Sequence, residues 1–194
     1  VPTREANWHD LFNALVWLTF PSAKAALNAR HCAARAARQP GGRRGPVEDA
    51  LTGFDESGVA VVCADDGLEA LLRGFRWRKL FWERRQAVRA GMKFLPFGHG
   101  LCEAAMRPFI GLTGKGVILR VGKEWFGAPP GEQLREIDRA LAATVADPRQ
   151  MGRGRELAPV PLLGVPGWWP ANEKASFYDD TAYFRPGRAR AGTA

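Results

Sequence analysis

Cysteine is scarce in this 194-residue chain, and what there is builds no scaffold. Cys32, Cys63 and Cys102 are odd in number, widely spaced and contain no CxxC pair. That pattern argues against a disulfide frame or a zinc knuckle and fits reduced thiols in a cytoplasmic protein. Long apolar runs are missing too. The longest, Leu11 to Phe20, is interrupted by Asn13 and Thr19, short of the roughly 18 residues a membrane span needs. No secretory leader opens the chain, which starts at Val1 without Met, so export is not expected and further upstream sequence is. What remains is a globular composition, 46% hydrophobic and 25% charged. It suits one domain over residues 1–186 and a disordered tail over 187–194.

Acidic residues are absent just where basic ones gather. RHCAARAARQPGGRR, from Arg30 to Arg44, carries five arginines and no acid, and from Arg73 to Lys93 eight basic residues face only Glu83. Between these blocks, Gly45 to Leu72 holds seven acids and no Lys or Arg. A net charge of +8 arranged this way suits a phosphorylated small molecule or nucleic acid as partner. It equally suits blocks of opposite sign that pair within one fold. The aromatics of FRWRKLFWERR fall on a helical stripe and read as core rather than as stacking surface.

Proline and spacing divide the chain. An apolar helix from Trp8 to Phe20 ends at Pro21, and a second runs from Ser22 through an alanine-rich stretch to Ala37. LTGFDESGVAVVCADD reads as a hairpin, with strands at Leu51–Asp55 and Val59–Ala64 around an ESG turn. Two helical stretches follow, then extended MKFLPF, a helix in GHGLCEAAMRPF and a strand in TGKGVILRV. Leu134, Ile137, Leu141 and Val145 mark a helix over Glu132–Val145. Four prolines in PVPLLGVPGWWP forbid long helix and suggest an extended arm anchored by its two tryptophans. The expected fold class is α+β, a helix-rich domain with a small antiparallel sheet and a Pro-rich C-terminal arm.

The phosphate-loop candidates fail. Gly111, Gly114, Lys115 and Gly116 miss the GxxxxGK[ST] spacing. The same string resembles the GxxG core of the KH fold, but a strand where that fold needs a helix argues against it. Three other features carry the functional reading. His9, Asp10 and Asn13 are the polar exceptions on an otherwise apolar helix, with His9 and Asn13 one turn apart; the competing reading is a capping cluster. His99 and Glu103 stand at i, i+4, where both reach one ion, or Glu103 forms an ordinary surface pair with Arg107, also at i, i+4. Asp55 and Glu56 supply further carboxylates, or serve simply as turn residues. Two histidines and several carboxylates are the ingredients of metal-assisted hydrolysis.

Across nearly the whole chain, PTREANWHDLFNALVWLTFPSAKAALNARH, ALTGFDESGV, PFGHGLCE, LLGVPGWW and FYDDTAYFRP together resemble an uncharacterised bacterial family, domain of unknown function 3025. The resemblance implies no activity. It does single out Asn7, His9, Asp10, Asn13, Lys24, Asn28, Asp49, Asp55, Glu56, His99, Glu103 and Asp179 or Asp180. The expectation is a metal-dependent hydrolase of a phosphorylated or nucleic-acid substrate. Its catalytic groups are His9, Asp10, Asp55 and Glu56, and its divalent-metal ligands are His9, His99 and Glu103, with magnesium or manganese preferred to zinc. Asn13, Lys24, Asn28 and Arg30 are assigned to substrate. The alternatives are a nucleic-acid-binding module using the basic blocks and a protein-interaction scaffold.

Overall fold

Pro21 does two jobs at one junction. It ends helix α1 (Trp8–Thr19) and opens α2 (Pro21–Ala36) at the first helical position, where its missing N–H costs nothing. The start of α2 is capped from outside. The Asp138 carboxylate accepts the Ser22 and Ala23 N–H groups at 3.0 and 2.8 Å, an anion at the positive end of the helix dipole. The computed structural model describes residues 3–39 and 41–187, so the tail expected at 187–194 lies outside the described residues save for Gly187.

The expected hairpin does not form. Residues Pro46–Ser57 are helix α3, and strand β1 starts directly after it at Gly58–Cys63. The reason is legible: Pro46 occupies the first turn, Glu48 Oε2 accepts the Gly45 N–H at 3.0 Å, and Val47, Ala50, Leu51 and Phe54 line one helical face. Helix α4 (Asp66–Arg73), a π-helical segment (Arg78–Glu83) and α5 (Arg85–Gly91) then lead to β2 (Met92–Pro96). Short α6 (His99–Ala104), β3 (Thr113–Arg120), α7 (Pro130–Ala146) and β4 (Ala158–Pro161) complete the elements.

The four strands form one sheet in the order β2-β1-β3-β4. It is mixed rather than antiparallel: β1 pairs antiparallel with β2 (Val61↔Phe94) but parallel with β3 (Val61↔Ile118), and β3 pairs antiparallel with β4. All six residues of β1 are buried, as expected of a strand covered on both faces. Val59 and Val61 face a core with Leu72, Phe81 and Tyr178, while Ala60 and Val62 face one with Phe54, Ile137 and Leu141. Both outer strands carry proline, Pro96 in β2 and Pro159 and Pro161 in β4.

The Pro-rich arm is extended only in β4 and continues as a series of short turns. Its polar side chains bond backbone: Asn172 Nδ2 donates to the Leu163 and Val165 carbonyls at 2.8 and 2.7 Å. Tyr183 Oη donates to the Leu112 carbonyl at 2.8 Å and accepts the Leu163 N–H at 3.0 Å. Of the tryptophan pair, Trp169 packs on the core and Trp168 stays exposed.

Candidate metal centre

Three helix ends meet to form the site. His9 sits in the first turn of α1, which begins where Asn7 Oδ1 accepts the Asp10 N–H at 3.0 Å. Asp55 and Glu56 belong to the last turn of α3, and His99 opens α6. Gly98 makes that meeting sterically possible. A Cβ on it would lie 2.4 Å from the Gly58 nitrogen and 2.5 Å from the Glu56 carbonyl oxygen, so α6 can start against the end of α3 only from glycine.

The two imidazoles face each other. Their Nε2 atoms are 2.9 Å apart, and the rings meet edge to face. Glu56 Oε1 lies 3.5 Å from His99 Nε2, and one ligand atom each from His9, Glu56 and His99 falls within 4.8 Å of the others. Carboxylates stand behind both rings. Glu103 Oε2 is 2.9 Å from His9 Nδ1, and because a carboxylate only accepts, that nitrogen carries the proton and leaves His9 Nε2 as a lone pair. Asp55 Oδ2 is 4.0 Å from His99 Nδ1, a buried nitrogen with no hydrogen-bond partner. The two rings differ in access to solvent: the His99 side chain is 6% exposed, whereas those of His9 and Glu56 are 36% and 46% exposed.

Lys24 forms the floor. Its buried ammonium donates to Asn13 Oδ1 at 2.9 Å and Asp55 Oδ1 at 2.5 Å, and lies over the rings of Trp17 and Phe97. Burial of an ammonium requires such partners, and here they fix Asp55 behind His99. Gly100 clears the remaining space, since a Cβ there would lie 2.6 Å from Glu56 Oε2.

Not every residue assigned from sequence comes here. Asp10 is held by Arg4, which reaches it from the backbone at 2.7 Å and from the guanidinium at 2.8 and 2.9 Å. These bonds hold its carboxyl far below the usual carboxylate range. Glu103 touches the far side of His9, away from the facing Nε2 pair, and Glu56 takes the place beside that pair. Arg30 lies nearly two turns beyond Lys24 and donates to the Val145 and Gln150 carbonyls at 2.7 and 2.6 Å. Asn28 is exposed on α2. Asp49 pairs with Arg44, and Asp179 with Arg78. Much of the two basic blocks pairs internally as well: Arg38 with Glu48, Arg73 with Glu69, and Arg85 and Arg89 with Glu173. Sequence reasoning missed Gly98 and Gly100, although a GHG string before a helix is a signal of close backbone approach.

A family model described as protein of unknown function, DUF3025, matches residues 1–188. The chain belongs to this family. No curated protein and no solved structure matches it. The residues that single out this DUF3025 chain's site, His9, Asp55, Glu56, His99 and Glu103, all fall inside the matched region. Among the described residues no helix is long and apolar enough to cross a membrane.

Proposed function

We propose that this DUF3025 chain is a metal-dependent hydrolase whose ion is held by His9, His99 and Glu56. The observation that carries the reading is the facing Nε2 pair at 2.9 Å, each ring backed by a carboxylate on its Nδ1 side. At metal–nitrogen distances of about 2.0–2.1 Å, two ligands separated by roughly 90–110° lie about 2.8–3.4 Å apart, which the pair satisfies.

The unpartnered His99 Nδ1 supports the same reading. With the His9 Nε2 a lone pair, the hydrogen bond between the rings needs the proton on His99 Nε2, which leaves a bare Nδ1 facing the Asp55 carboxylate. A cation held by the two rings would take the place of that shared proton. The His99 proton would then sit on Nδ1, facing Asp55, and both Nε2 lone pairs would be left to hold the ion. Two imidazoles and one carboxylate favour a zinc-type centre, a change from the magnesium or manganese preferred from sequence. Such an ion lowers the pKa of bound water towards about 7. Glu56, half-exposed beside the rings, would help to hold the ion through one carboxylate oxygen, and its other oxygen would take a proton. The bond cleaved is assigned no further than an ester or phosphoester, because Lys24 and Arg30 are already engaged within the protein.

The test is zinc and manganese titration of the chain by calorimetry, with hydrolysis of p-nitrophenyl acetate and bis(p-nitrophenyl) phosphate followed in parallel. One ion bound with Kd below about 10 μM, weakened at least a hundredfold in His9→Ala and His99→Ala, is the expected result. Equal metal binding in parent and variants removes the centre. Binding without metal-dependent turnover of either probe removes the hydrolase.

A further inference from the structure

A second candidate site shares no residue with the His9–His99 centre and is independent of the metal reading. A cleft of about 780 Å³ opens where the turns after Tyr183 cross β4, walled by Phe75, Trp77, Leu157, Pro159, Arg155 and Arg185 among others. That volume is of the size that takes a small organic ligand. The wall is built, not incidental. Phe75 has φ +56°, a left-handed conformation that falls to glycine at most helix ends. It is held there by the Arg76 N–H on the Leu71 carbonyl and its own N–H on Leu72, while Gly74 stands one residue too early. Trp77 Nε1 donates to the Arg185 carbonyl at 2.8 Å and fixes the opposite lip.

The charge of the cleft has one sign. Its described lining contains two guanidinium groups and no carboxylate, and neither Arg155 nor Arg185 forms an ion pair among the described residues. The acids nearest in sequence are engaged by backbone donors: Glu156 accepts the Gly152 N–H and Asp180 the Ala182 N–H. We propose that this cleft binds a small organic anion with a flat apolar body, an aromatic carboxylate or sulfonate. The aromatic and proline walls receive the body, and Arg155 with Arg185 receives the anionic group.

The probes are 8-anilinonaphthalene-1-sulfonate and its uncharged analogue N-phenyl-1-naphthylamine, titrated into the whole chain by fluorescence. Saturable one-to-one binding of the sulfonate is expected, weakened about tenfold in Arg155→Glu and in Arg185→Glu, with the neutral analogue changed less than about twofold. Thr113→Trp, which fills the cleft from β3, abolishes both. Absence of saturable sulfonate binding, or arginine variants that weaken both probes alike or neither, overturns the assignment. So does undiminished binding in Thr113→Trp.

Discussion

The C-terminal arm and the His9–His99 centre both bury polar side chains, but they satisfy them differently. In the arm, Asn172, Tyr178 and Tyr183 bond mainly to backbone carbonyls that the turns would otherwise leave unpaired. In the centre, side chains bond one another, imidazole against imidazole, carboxylate behind imidazole and ammonium on carboxylate, and leave His99 Nδ1 without a partner. Backbone-directed polar groups hold a shape, because removing one strands a carbonyl. Side-chain groups gathered around an opening hold little shape and are free for chemistry. The two regions therefore respond in opposite senses to truncation.

Asn172→Ala gives the largest loss of stability. It strands two buried carbonyls and costs about 3 kcal/mol in urea unfolding, while zinc affinity stays within about twofold. Gly100→Ala reverses the pattern. The new methyl displaces Glu56, so zinc affinity falls about a hundredfold, yet the melting temperature is unchanged or rises, since alanine is favoured over glycine in a helix by up to about 1 kcal/mol. Should Gly100→Ala unfold the protein instead, the centre would be as structural as the arm. Glu103→Ala, which removes the carboxylate behind His9, weakens zinc about 10–100-fold with a stability change under about 0.5 kcal/mol.

The smallest effects sharpen the comparison through pH. Burial pushes the Tyr178 phenol up to about 12. Its neutral form is favoured in the folded arm, so this stabilisation is full below the ordinary tyrosine pKa near 10 and is lost as pH rises towards about 12. Alkaline unfolding monitored by tyrosinate absorbance should show ionisation accompanying loss of the fold. Glu69 works in the opposite direction. Burial alone would raise its carboxyl, but hydrogen bonds from Arg73 and Arg120 outweigh burial and lower it. Its contribution is present above the ordinary carboxylate range and lost as pH falls through the depressed value. Glu69→Gln should flatten the acid limb of stability by under about 1 kcal/mol.

Helices α1, α2 and α7 were legible because proline, caps and apolar spacing agree within one local window. Helix α3 was not: counting only from Leu51 hides the Val47, Ala50, Leu51, Phe54 face and makes ALTGF look like strand. The parallel β1–β3 pairing leaves no local mark, since a long connection between strands does not name its partner. The candidate site divides the same way. The i, i+4 spacing of His99 and Glu103 correctly puts them on one helix, but their relation runs through His9, 90 residues away, which only the packing of α1 on α6 supplies. Asp10 illustrates the converse, since its partner Arg4 is a near neighbour, and the helix is capped by Asn7 rather than by the His9, Asp10 and Asn13 cluster.

Proline at both margins of the sheet governs how copies of this chain can meet. Pro96 on one border and Pro159 and Pro161 on the other each lack the N–H that an added strand would need. Fibril-like growth by strand recruitment is thereby discouraged at either rim. Self-association is directed instead to side-chain surfaces, such as the outward Leu11, Leu15 and Leu18 of the first helix.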